Sequence, residues 1–371
     1  MPQSADNNQQ AHTRRYFAII LLGPIVLLAF WVVFKIGLED RFSRHLDAGY
    51  PGYCEQPAEV LFIGSSHTRQ SYDIAAVEAA TGRSAYAMAY GSLDQNLMNL
   101  LLEDLLRDPA RRPKILVLEA YATKLAQRSQ LEDPRFFFDL PPGLKLRFIK
   151  NYLQLNPELS ARLDLFGLIV NRGTEQLWTY PLNHRILARL SYRGAYRAHV
   201  SNGVSESEFR SFQPELAGPE PDPIQFAALN HTIQLCKRYG VRLMLAESPM
   251  PKPASSELDI HRMKDVYRAV SLANHLPYLD GDEGFPTDDP AYFADATHLS
   301  TAGRTLYTAN LIKSFGPLLV ADRGPSSLVQ THPPHTSGPS AGGSSERAFK
   351  EEKSNSSAPE SAIGRGVEER L

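Results

Sequence analysis

The sequence predicts an α/β protein: three layers, with a five-stranded parallel sheet at the centre. Three observations carry the prediction. Short apolar runs recur five times between residues 59 and 280. Segments with helical apolar spacing separate most of these runs. The runs are apolar at successive rather than alternate positions, the pattern of strands covered on both faces, as parallel strands are.

The elements follow in order. Residues 59–64 (EVLFIG) form the first strand, and a helix over Asp73–Ala80 ends at Gly82, which can adopt a left-handed C-cap. The second strand is SAYAMAYG (84–91). A helix from Leu93 to Leu106 then places Leu97, Leu100, Leu101 and Leu105 on one face. KILVLEAY (114–121) is the third strand. A helix over 224–239 stops at Gly240, and VRLMLAES (241–248) is the fourth strand. A helix over 256–274, the strand LPYLD (276–280) and a last helix over 301–315 complete the body. Residues 122–222 break the alternation. They are rich in aromatic residues and arginine, contain helical pieces such as LKLRFIKNYLQL, and read as a mostly helical insertion at the carboxyl end of the third strand.

The ends of the chain differ from this body. From Tyr16 to Phe34 there is no charged residue, and a helix of about 20 residues crosses a bilayer core. The run is longer than a signal-peptide core and no Ala-x-Ala site follows, so it reads as an uncleaved anchor. Gly23 and Pro24 allow a kink within it. Arg14 and Arg15 before it, against Lys35, Arg41 and Arg44 after it, leave the orientation open. From residue 322 the chain is rich in Ser, Gly, Pro and charge, a disordered composition. The expected organisation is a tail (1–15), an anchor (16–36), a body (55–320) with its insertion (122–222), and a second tail (322–371).

Composition narrows the function. Of 371 residues, 43% are hydrophobic, and the net charge of −2 gives no support to nucleic-acid binding. Cys54 and Cys236 are too few for a disulfide scaffold or a zinc ribbon, and read as small buried hydrophobes or a single bridge. Cys54 lacks the preceding apolar run of a lipid-attachment site. Asp280, Asp282, Asp288 and Asp289 sit among Gly and Pro and read as an acidic loop rather than a metal site. Trp178, Tyr180, Tyr192 and Tyr196 read as core of the insertion, with a sugar-stacking surface as the alternative. The ESPMPKP stretch after the fourth strand is expected beside the pocket.

In parallel α/β sheets, sites form on the loops after the carboxyl ends of strands. Ser66 stands there, two residues beyond Gly64. Near the other end of the body, Asp295 and His298 are three apart in DATHLSTAGR, just before the last helix. A serine nucleophile needs a base to take its proton and a carboxylate to hold that base in one tautomer. The Asp-x-x-His spacing lets the carboxylate reach one ring nitrogen while the other faces the serine. Ser300 or Thr301 can cap the following helix. His67 reads as a polar neighbour of the pocket, and Arg69 as a solvated or salt-bridged arginine.

Taken together, IGSSH, YGS and DATHLSTAGR resemble the blocks of the SGNH/GDSL hydrolase superfamily over about residues 58–121 and 223–316. The resemblance implies a flavodoxin-like sheet, Ser66 as nucleophile, His298 as base and Asp295 as orienting acid, with neither cofactor nor metal. It also implies an oxyanion hole built from the backbone N–H groups of Ser66 and Gly91. Gly64-Ser65-Ser66, in place of Gly-Asp-Ser, is similar to membrane-anchored, DltD-like members, which work beside membrane-bound O-acyltransferases on cell-envelope polymers. The family's asparagine after the third strand is absent. Glu119 stands there and, ionised, would repel an oxyanion; Asn96 is the expected replacement.

The implied function is acyl processing by a membrane-anchored SGNH-type enzyme on the periplasmic side of the inner membrane. It would transfer an acyl group, often acetyl, through acyl-Ser66 to an envelope polysaccharide, with a membrane-bound O-acyltransferase as candidate partner. Two alternatives stay open: a carbohydrate esterase or deacetylase with the same triad, and a non-catalytic scaffold in a polysaccharide-modification complex.

Overall fold

Residues 49–127, 131–158, 191–196, 204–212, 220–255 and 258–320, with positions 22, 26, 162, 163, 165 and 167, are described by the computed structural model. The expected anchor, apart from positions 22 and 26, and the C-terminal tail lie outside the described residues. Among the described residues no helix is long and apolar enough to cross a membrane.

The strands are β1 (Val60–Gly64), β2 (Ala85–Ala89), β3 (Ile115–Glu119), β4 (Ser191–Tyr192), β5 (Ala195–Tyr196), β6 (Arg242–Ala246) and β7 (Tyr278–Leu279). Five of them form one parallel sheet in the order β2-β1-β3-β6-β7. Every residue of β1, β2 and β3 is buried, which is why these runs are apolar without alternation. The chain moves outward from β1 to β2 and then returns to β3 on the other side of β1. The carboxyl ends of β1 and β3 therefore flank a topological switch point, the usual place for a site in such sheets.

The helices are α1 (Gly49–Glu55), α2 (Ser66–Ser71), α3 (Ile74–Thr81), α4 (Gln95–Arg107), α5 (Ala122–Ala126), α6 (Pro134–Asp139), α7 (Pro142–Leu155), α8 (Glu206–Ser211), α9 (Pro223–Tyr239), α10 (Lys252–Ser255), α11 (Leu258–Asn274) and α12 (Thr301–Val320). Successive strand residues point to opposite faces, and the core divides accordingly. Leu61, Ile63, Leu116 and Leu118 pack with Leu101 of α4, Ile233 of α9 and Tyr267 of α11. Val60, Phe62, Ile115 and Val117 pack with Val77 of α3 and Tyr307 and Leu311 of α12. The result is the expected three layers.

Helix ends follow local chemistry. Asp94 accepts from the Leu97 N–H at 2.8 Å to start α4. Gly82 (φ 64°) and Gly240 (φ 67°) close α3 and α9 in the left-handed region. Two differences from the sequence reading are informative. The body begins before residue 55, because α1 buries Tyr50 and Tyr53 and the Tyr53 hydroxyl donates to the Arg111 carbonyl at 2.7 Å. α12 runs on past Gly316 and Pro317, since Leu319 is buried and Arg242 and Arg83 donate to the carbonyls of Leu318 and Leu319. Of the two readings open for the cysteines, Cys54 and Cys236 follow the unbridged one: both are free, Cys236 buried and Cys54 half-buried.

The described part of the insertion comprises α5 to α8 and the antiparallel β4–β5 hairpin. The hairpin lies on the outer strand of the sheet, where the Ala87 N–H donates to the Arg193 carbonyl at 2.9 Å. Gly194 at its tip has φ 83°, and a Cβ there would stand 1.9 Å from the Ala87 oxygen, so the contact requires glycine. Trp178 and Tyr180 lie outside the described residues, as do the side chains of Tyr192 and Tyr196.

Candidate active site

β1 delivers the chain through Gly64 into a turn that begins α2 at once. Ser65 is the N-cap, its Oγ accepting from the His67 N–H at 3.3 Å, and Ser66 is the first helical residue. A helix leaves its first N–H groups without intrahelical partners. Here the His67 N–H goes to Ser65 and the Thr68 N–H to Glu119, whereas none of the described residues accepts from the Ser66 N–H.

The second half of the site lies in the loop before α12. The Phe293–Leu299 bridge and the Ala294 N–H, donating to the His298 carbonyl at 2.8 Å, close the Asp-x-x-His segment into a tight turn. Ser300, rather than Thr301, caps the helix: its Oγ accepts from the Gly303 N–H at 3.2 Å. Within the turn Asp295 Oδ1 accepts from the N–H groups of Thr297 (2.8 Å) and His298 (2.9 Å) and from the Thr297 hydroxyl (2.9 Å). Burial acts to raise the Asp295 pKa, but hydrogen bonds from His298 and Thr297 outweigh it and hold the carboxyl far below the usual range. Asp295 is thus ionised and accepts from His298 Nδ1–H, with Oδ2 at 2.8 Å. That tautomer leaves Nε2 as an acceptor, 2.8 Å from Ser66 Oγ. The structure brings Ser66, His298 and Asp295 together in a nucleophile–base–carboxylate geometry.

The neighbours depart from expectation. The Gly91 N–H does not face the serine; it donates to Asp133 Oδ2 at 2.8 Å, and Arg135 neutralises that carboxylate. Asn96 sits on α4, its N–H donating to Gln225 Oε1 of α9 at 3.1 Å. Neither residue lines the cavity beside Ser66. Ser92 does, and it holds φ 52°, an uncommon value for a residue with a side chain. Nothing but its place after Gly91 marked it in the sequence. Arg69 is not solvated: it is buried in α2 and its guanidinium donates to the Ala89 carbonyl at the end of β2. His67 is buried with its ring centre 4.0 Å from that of Tyr121 and 5.0 Å from that of His298. Burial lowers its pKa well below the ordinary value, so His67 is neutral.

Glu119 differs most. An anion facing the oxyanion was the concern, yet its carboxyl lies under the turn, accepting from the Ser65 N–H (2.8 Å) and hydroxyl (2.6 Å) and from the Thr68 N–H (3.0 Å) and hydroxyl (2.5 Å). Burial raises its pKa despite these bonds.

The cavity over Ser66 holds about 260 Å³. Ser66, His67, Ser92 and His298 line it, together with Thr123, Lys124, Gln127 and Phe212 from the insertion. The ESPMPKP stretch is not part of it; Ser248 bonds Ser71 (Oγ–Oγ 3.0 Å) and the Met250 N–H donates to Asp282. The acidic loop is paired with cations. Lys264 contacts Asp282 (2.6 Å) and Asp280 (3.7 Å), Arg268 contacts Asp280, and Asp289 caps the turn at Ala291.

No protein-family model matches the chain, and no curated protein sequence does. Among solved structures, the chain is similar to a lipase/acylhydrolase from Enterococcus faecalis (12% identity, 69% of this chain and 95% of that one, TM-score 0.34). It is also similar to a GDSL-like lipase from Bacteroides thetaiotaomicron (11% identity, 73% and 99%, TM-score 0.36). A third is an acetylxylan esterase from Geobacillus stearothermophilus (13% identity, 72% and 97%, TM-score 0.35).

Proposed function

We propose that the protein is a serine-dependent acyl-processing enzyme of the SGNH type that transfers a small acyl group, such as acetyl, to a hydroxyl of a cell-envelope polysaccharide. The observation that carries this reading is the unbroken chain of contacts from Ser66 Oγ through His298 to Asp295. In the first half-reaction Ser66 Oγ attacks the donor carbonyl and its proton passes to His298 Nε2. Asp295 stabilises the imidazolium so formed. The oxyanion develops beside the Ser66 N–H, with Ser92 of the cavity lining as second donor. Collapse expels the donor's alcohol, which takes the proton from His298, and leaves acyl-Ser66. In the second half-reaction His298 removes a proton from the acceptor hydroxyl as it attacks the acyl carbon; the bond to Ser66 Oγ breaks, and His298 returns the proton to Ser66.

Two features support transfer to a sugar. At about 260 Å³ the cavity is below the ~300–1,000 Å³ of common ligand pockets, a fit for a small acyl group. The insertion contributes Thr123, Lys124 and Gln127 to its lining, groups suited to hydroxyl-rich acceptors. Residues 16–36 would anchor the enzyme in the inner membrane with its body outside the cytoplasm, within reach of a membrane-bound O-acyltransferase that supplies acyl groups.

The test uses the full chain in detergent with an activated acetyl ester. Rapid acetylation of Ser66, slow hydrolysis, and turnover accelerated by an oligosaccharide that becomes acetylated are the expected results. Rapid hydrolysis indifferent to every acceptor would make it an esterase, and absence of labelling at Ser66 would leave the scaffold reading. A reporter fused after residue 320 that works only in the cytoplasm would overturn the proposed location.

A further inference from the structure

We infer that Glu119 is the positioning residue of the nucleophile: from the end of β3 it grips the residues on both sides of Ser66 and so aims the serine at His298. The inference rests on the acyl-serine reading and concerns how that serine is held.

Ser65 and Thr68 flank the nucleophile, and each gives Glu119 a backbone N–H and a hydroxyl, at 2.5–3.0 Å. The two N–H groups converge on Oε2, so one oxygen fixes the pitch of the first helical turn, while Oε1 holds the capping serine. Between the two gripped residues Ser66 turns its Oγ to His298 Nε2, 2.8 Å away. The grip depends on Gly64: a Cβ there would lie 2.2 Å from Thr68 Oγ1 and 2.3 Å from Glu119 Oε2, so the carboxyl can pass beneath the turn only where β1 ends without a side chain. Glu119 is itself held, its carbonyl accepting from Gln95 Nε2 at 3.1 Å while the next N–H, of Ala120, donates to Ala246 at 2.9 Å. This strand end therefore secures the nucleophile and supplies no side-chain donor to the oxyanion. The task is geometric. A glutamine can present its oxygen to both N–H groups and its NH₂ to the Ser65 hydroxyl, so an amide preserves the grip.

The experiment measures kcat and KM of the detergent-solubilised full chain on an activated acetyl ester. Each value is normalised to the Ser66 titrated by a fluorophosphonate, with Ser66→Ala as the blank. Glu119→Ala should lower kcat per titrated serine about 100-fold at nearly constant KM, the scale of a displacement of about 1 Å at a reacting group. Glu119→Gln should restore most of that loss with an unchanged pH profile. An undiminished kcat per serine in Glu119→Ala, even with less folded protein, would overturn the inference, as would equal damage in both variants. Should Glu119→Ala fail to fold, Thr68→Val removes one bond of the grip and should cost about fivefold in kcat, roughly one hydrogen bond; no change in it would overturn the inference equally. Wild type that labels no better than the blank would remove the acyl-serine reading and this inference together, whereas labelled wild type with an unimpaired Glu119→Ala would remove the inference alone.

Discussion

Two carboxylates serve the same serine from opposite sides, and their surroundings differ in kind. Asp295 sits in a half-buried turn with donors aimed at it, and its pKa is driven down. Glu119 sits beneath the turn in the sheet, also well provided with donors, yet burial drives its pKa up. The first is kept charged beside the imidazole, where charge stabilises a developing cation. The second holds backbone in place, where shape matters more than charge. One functional group thus does two jobs, and depth of burial separates them.

Four measurements would break or sharpen that contrast. The largest effect belongs to the charge: Asp295→Asn should reduce kcat by about 10³–10⁴-fold by removing the tautomer control of His298. A loss of tenfold or less would mean that Thr297, 3.0 Å from His298 Nδ1, orients the ring instead. Next comes the Glu119→Ala loss of about 100-fold in kcat.

The third is pH dependence of stability, where the two carboxylates should have opposite signs. Asp295, with a depressed folded pKa, contributes stability present above the unfolded value of about 4 and lost as acid approaches the folded one. Glu119, with a raised folded pKa, costs nothing in acid and progressively more as pH rises from about 4.5 through the folded value. The Tm of Glu119→Gln relative to wild type should therefore climb as pH rises above about 4.5, whereas the deficit of Asp295→Asn should shrink below about pH 4. Parallel slopes would refute the distinction. The smallest effect concerns Asn96. With its backbone tied to α9 and its side chain outside the cavity lining, Asn96→Ala should change kcat by about twofold or less. A true oxyanion donor would cost about 10²–10³-fold.

The layers and the meeting of Ser66, His298 and Asp295 were legible in the sequence because both rest on local patterns: buried strands without alternation, glycine stops, and an Asp-x-x-His turn that closes on itself. What escaped was set by tertiary contacts. The six-residue α2 has no apolar periodicity to announce it and exists because Ser65 and Glu119 cap it. Gly91 was expected to face the serine, but Asp133, 42 positions away, takes its N–H. Arg69 read as solvated or salt-bridged, and the solvated reading fails because sequence spacing does not reveal that the end of β2 has a carbonyl to offer it. Glu119 looked harmful because its neighbour across the sheet, Gly64, opens a space that no one-dimensional pattern records.

The hydrogen bond from Ser66 to His298 joins residues 232 positions apart. A chain made from its N-terminus presents Ser66 long before its base has been synthesised, and the alcohol stays chemically ordinary until α12 and the turn before it settle against the sheet. A copy truncated before residue 295 would therefore carry the serine without the imidazole and carboxylate that contact it in the folded chain.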